Sequence, residues 1–239
     1  MFKKIVQIDL TNVERYCMNQ ELLNGCEVII VKIDFTLDKN LKNYLLLSKI
    51  AKQKEILPLF VLLNSTKDSK EKLKVLKNES YFEVDSDATF QTLYEEIAGA
   101  VTARGEDDIS LNTADLKTVF VHKGLAFFGS AQECGSDASL VALEKAIKSV
   151  KIKNNSLNNM QGVLVYFSIH PDYEVMKLAE AMEMFYEHTH YDAEIIWGTT
   201  TDNTLTKEYV KVVVLLTGCE SCEFKQMAAN NLQYSHTQT

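Results

Sequence analysis

A chain of 239 residues, 46% hydrophobic and 24% charged, is long enough to bury a sizeable core in one domain or two modest ones. Its formal net charge of −8, with the lysines scattered, argues against a nucleic-acid partner, whose phosphates call for a concentrated basic face. No run of about 18 apolar residues occurs, so no membrane-spanning helix is expected.

The opening stretch, MFKKIVQIDL, has two lysines but too few apolar residues before Asp9 for a secretory signal, so the cytoplasm is the expected compartment. The five cysteines are then expected as reduced thiols. Cys219 and Cys222 form a single C-x-x-C that lacks the second half of a zinc site. A site completed by His188 and His190 is a loose match and is set aside, so no metal is expected.

In chain order, KKIVQIDL (3–10), EVIIVKI (27–33), LPLFVLLN (57–64) and SYFEV (80–84) read as strands, the middle two apolar on both faces as in a covered parallel sheet. Between them Thr11–Leu23, Asp38–Lys54 and Lys67–Leu76 read as helices. In the second, Leu41, Tyr44, Leu45 and Ile50 form the inward stripe. In the third, Lys67, Lys70, Lys72 and Lys74, with Lys77 just beyond, mark a solvated face. Repeated β-α-β units of this kind build a small Rossmann-like layer. A longer helix, Ala88–Ala103, follows, with Phe90, Leu93, Tyr94, Ile97 and Val101 on one face. Gly105 and an acidic run end it, and a domain boundary is placed there.

Beyond the boundary, Asn112 or Thr113 caps a short helix whose last turn holds His122 and Lys123, with Gly124 ending it. LAFFGS is a strand, Ser136 or Asp137 caps a helix through Val150, and a polar loop (151–159) leads to the strand GVLVYFSI. Pro171 opens a helix to about Glu187. AEIIWG (193–198) and YVKVVVLLTG (209–218) close the fold, the second as a central strand. The expected division is 1–105, 106–218 and a polar tail, 219–239.

NTADLKTVFVHKGLAFFGSAQECGSDASLVALEKAIKS, QGVLVYFSIHPDYEVMKLAEAMEMF and AEIIWGTTTDNTLTKEYVKVVVLLTG together resemble the C-terminal domain of FtsZ, the bacterial cell-division GTPase related to tubulin. Gly198, Asp202, Thr217 and Gly218 stand at the family's positions near the end of the domain. The resemblance runs over about 78–218. It implies an α/β fold, with a reduced Rossmann-like parallel layer, a central helix and an α+β domain on a mixed four-stranded sheet.

In that family the N-terminal domain binds GTP through two glycine-rich loops. Here DLTNVE and DFTLDKN stand in their places, and Gly25 is the one glycine in the first 98 residues. Backbone approaches a phosphate closely where Cβ is absent and φ > 0 is cheap. Asp9, Asp34 and Asp38 would also repel a polyphosphate unless a metal bridged them. Near the start of the central helix, Asp85 and Asp87 are the candidates for reading the base. The family's acidic hydrolysis loop matches SLNTADLK, with Asp115 on one acidic position and Asn112 on the other; in the first turn of a helix Asp115 also suits the helix dipole.

Two functions follow as expectations. One is association without nucleotide, with itself or with FtsZ-type filament subunits in cell division. The other is a divergent GTPase whose Asp34 or Asp38 holds Mg²⁺ beside GTP.

Overall fold

The computed structural model describes residues 4–34, 39–63, 76, 78–102, 105, 108–150, 156–187, 189 and 192–219. The lysine-rich stretch from 67 to 75, Lys77, Asp38, His188, His190, Cys222 and the tail beyond Cys219 lie outside them.

The apolar runs of the first half form a parallel sheet: β1 (Ile5–Asp9), β2 (Val28–Ile33), β3 (Leu57–Leu63), β4 (Ser80–Val84) and the short β5 (Gly124–Leu125). These strands lie side by side in chain order, so the order never reverses, and no described strand pairs with the outer side of β1. Alternation along β2 and β3 feeds two cores. Ile29, Val31, Ile33, Phe60 and Leu62 face α2 (Lys39–Gln53). Val28, Ile30, Leu59 and Val61 face α3 (Asp87–Thr102).

The helical expectation for Thr11–Leu23 needs correcting. Only Val13–Met18 (α1) is α-helical, between 3-10 turns at Leu10–Asn12 and Gln20–Leu23. Asn19 breaks the run because its side chain accepts the Glu21 N–H at 3.2 Å, a local alternative to the helical ladder. In α2 the inward stripe is Asn40, Tyr44, Leu47, Ile50 and Ala51, so Tyr44 and Ile50 face inward as expected, whereas Leu45 is 55% exposed. The fully buried Asn40 sets that rotation by donating to the Asp34 carbonyl.

Helix α3 matches its expected span and lies between the two sheets. Phe90, Leu93, Ile97 and Val101 share one core with Leu164, Tyr166, Val213 and Leu215 of the second sheet. That sheet runs β6 (Phe127–Cys134), β9 (Tyr209–Thr217), β7 (Gly162–Ile169) and β8 (Glu194–Thr201), with β9 antiparallel to β6 and β7, and β7 parallel to β8. Tyr209–Thr217 is central, as its apolar length implied. Helices α5 (Ala138–Ser149) and α6 (Val175–Tyr186) cover its outer face.

Three local readings shift. The α4 helix (Thr113–Val119) stops at Phe120, because Gly124 begins β5 with its N–H on the Glu79 carbonyl. LAFFGS divides between two sheets, with Ala126 alone between β5 and β6 and its N–H 2.7 Å from the Tyr81 carbonyl. Pro171 sits in a turn closed by the Tyr173 N–H on the His170 carbonyl, and α6 begins only at Val175. Cys17, Cys26 and Cys134 are free thiols, whereas Cys219 is disulfide-bonded, which corrects the reading of five reduced cysteines.

Candidate functional site

At the carboxyl ends of the first strands, Asp9 closes β1, Lys32 stands next to last in β2, Asp34 follows β2, and Asp87 opens α3. The Lys32 ammonium lies 3.0 Å from Asp9 Oδ2, 2.9 Å from Asp87 Oδ1 and 5.8 Å from the centre of the Phe90 ring. Burial pushes the Asp9 carboxyl up. Hydrogen bonds from the Thr11 hydroxyl (2.7 Å) and N–H (2.9 Å) and from Lys32 outweigh that and hold it below the usual carboxylate range. Lys32 is raised by its bond to Asp87 first and Asp9 second. The start of α3 is closed by its own residues: the Thr89 N–H bonds Ser86 Oγ, and the Thr89 hydroxyl bonds Asp85 Oδ1.

Asn112 and Asp115 sit at the opposite end of the same sheet. Asn112 caps α4, its Oδ1 accepting the Ala114 and Asp115 N–H groups, while Asp115 Oδ2 accepts the Asn112 N–H at 2.7 Å. This reciprocal capping box ties down two of the helix's otherwise unpaired donors. The buried Thr113 donates its hydroxyl to Glu27, just before β2, and Lys4 lies 3.2 Å from the same carboxylate. The bond from Thr113 is the main reason the Glu27 carboxyl is held low. Lys117 donates to the Glu55 carbonyl at 3.1 Å.

Asp34 and Asp115 are therefore not brought together. The six residues of β2 separate the two ends, about 20 Å at ~3.3 Å per residue. Sequence reasoning missed Lys32, although a lone lysine in the apolar run EVIIVKI was its signal, and it missed Glu27 and Lys117 beside the capping box.

The motif residues of the second half hold structure. Thr217, 1% exposed, donates to the Val119 carbonyl at 2.7 Å and so joins β9 to the end of α4. Gly218 takes a φ of 75° that favours glycine. A Cβ on Gly198 would stand 2.5 Å from the Ile109 carbonyl. Asp202 caps a turn by accepting the Thr204 N–H and hydroxyl, which lowers its carboxyl. Beside the outer edge of β1 lies a cleft of about 620 Å³ lined by Gln7, Asp9, Thr11, Glu14, Arg15 and Tyr16. Among the described residues no helix is long and apolar enough to cross a membrane.

Residues 124–220 match the C-terminal domain of the FtsZ family. Over 113 residues the chain is 30% identical to the cell division protein FtsZ of Helicobacter pylori (strain J99), and over 114 residues 32% identical to that of Wolbachia pipientis. Those stretches cover 47% and 48% of this chain but only 29% and 36% of the relatives, so the chain matches about a third of their length. Among solved structures, a mutant FtsZ of M. jannaschii superposes with a TM-score of 0.70 at 17% identity, covering 87% of this chain and 70% of that one. CetZ2 of Haloferax volcanii, solved as a GTPγS-bound protofilament, gives 0.66 at 16%, covering 95% and 79%. At such identities the likeness is one of fold: a parallel layer followed by a mixed four-stranded sheet.

Proposed function

We propose that this chain, a shortened relative of FtsZ whose second half is an FtsZ C-terminal domain, works by protein–protein association and turns over no nucleotide. The observation that carries this reading is Lys32, pinned between Asp9 and Asp87 across the carboxyl ends of β1 and β2. In open α/β sheets a nucleotide lies in the crevice at those ends, where the strand order reverses. Here the described strands run β1 to β5 without reversal, and a paired lysine and its carboxylates stand at those ends, which supports the reading. A triphosphate suits these residues poorly. The loop residues carry side chains where glycines would cradle it, the lysine is already neutralised, and Asp34 adds negative charge.

The frame still has two opposite ends, and a head-to-tail contact propagates only if both can bind. The CetZ2 relative was solved as a protofilament, so stacking suits this architecture. A subunit presenting the α4 end, with Asn112 and Asp115, but no nucleotide at the other would join an FtsZ-type filament and stop its growth there.

Calorimetric titration with GTP and GDP in the presence of Mg²⁺, paired with co-sedimentation with FtsZ filaments, tests this. The expected result is no heat at millimolar nucleotide together with recovery of the chain in the filament pellet. Micromolar nucleotide binding would instead establish the GTPase reading. Failure to pellet or to change filament length would overturn the role on FtsZ filaments.

A further inference from the structure

We propose that the outer edge of β1 pairs with β1 of a second copy, antiparallel about a two-fold axis at Gln7. Residues of a strand in a parallel sheet bond alternately to one side and the other. The Lys4 carbonyl accepts the Val28 N–H at 3.1 Å, so Val6 and Ile8 serve β2, while the N–H and C=O groups of Ile5 and Gln7 and the N–H of Asp9 point away from it; the Asp9 carbonyl serves the 3-10 turn it caps. Exposed edges are blunted by proline, bulges, charge or brevity, and of these β1 has only its five-residue length and Asp9. The IVQID strand keeps regular register with β2 along its whole length.

Pairing about Gln7 sets Gln7 against Gln7, which exchange both bonds, and Ile5 against Asp9, where the Asp9 N–H meets the partner's Ile5 carbonyl. Val6, half-buried, falls opposite the partner's Ile8, which is already packed in its own core, so the register places no polar side chain between them. The charges beside the edge are self-complementary too. Glu14 and Arg15 line the cleft along β1, both exposed, and neither forms an ion pair with a described residue. A two-fold interface brings one patch onto itself, so each carboxylate meets the partner's guanidinium reciprocally. Met18, 85% exposed and one helical turn on from Glu14, adds apolar surface on the same side. This contact uses the side of the sheet rather than its ends, so it stands or falls independently of filament docking.

The test is the mass of the full chain in solution, by sedimentation equilibrium across a micromolar concentration series. The wild type is expected as a dimer. Arg15→Glu, which sets four carboxylates together, should weaken it at least about tenfold. Combining Glu14→Arg with Arg15→Glu should restore it. Gln7→Pro removes one outward N–H, leaves the bonds to β2 intact, and should give a folded monomer. A wild type that stays monomeric throughout, or an assembly that Arg15→Glu leaves unchanged, overturns the proposal whether or not the proline variant folds.

Discussion

One cation, Lys32, holds the end of β1 to the start of α3: its ammonium reaches Asp9 at 3.0 Å and Asp87 at 2.9 Å. Replacing it with methionine keeps the stem over Phe90 and leaves two carboxylates facing each other without a counter-charge. Because the pairs are partly exposed, Lys32→Met is expected to cost only about 1 kcal/mol, read as a lower midpoint in urea denaturation.

The pH dependence of that cost follows from the shifts. Asp9 has a depressed folded value, so its contribution is present above the ordinary 3.8 and is lost as pH falls through the folded value. Lys32 has a raised one, so its contribution is complete below 10.5 and is lost as pH climbs through the folded value. The stability gap between wild type and Lys32→Met should therefore be flat at neutral pH and narrow at both extremes. A gap that stays constant down to pH 3 would contradict the pairing.

Asn112→Ala removes the α4 cap and should lower stability by about 1 kcal/mol. Asp115→Ala loses the reciprocal bond to the Asn112 N–H as well as its place in the first helical turn, and should cost less, since the cap itself remains. Thermal melts rank the two. If α4 is also the docking end, Asp115→Ala should weaken co-sedimentation with FtsZ filaments beyond what its melt predicts.

Thr217→Val deletes a hydroxyl that is 1% exposed and leaves the Val119 carbonyl without that donor. The expected loss is about 2 kcal/mol, measured by urea denaturation, with Thr217→Ser close to wild type.

The strands were legible because their apolar runs are short and bounded, and the start of α4 because Asn112 and Thr113 both suit a cap; the reciprocal bond from the Asn112 N–H to Asp115 was not. Other features depend on partners that no local pattern reveals. Lys32 meets Asp87 across 55 residues of sequence. In α2 the sequence offers two apolar stripes, and the bond from Asn40 to the Asp34 carbonyl chooses between them. That no described strand pairs with the outer side of β1 follows from strand order, which periodicity does not encode. LAFFGS looked like one strand because both sheets require the same kind of residue there.

That last segment has a mechanical consequence. Domain rotations need a few free residues to absorb changes in backbone angle. Between β5 and β6 there is only Ala126, 3% exposed and bonded to Tyr81. At this crossing the two sheets have no slack, and turning one against the other would tear a strand from its neighbour. A push on either layer is passed directly to the other, as in a stiff tile.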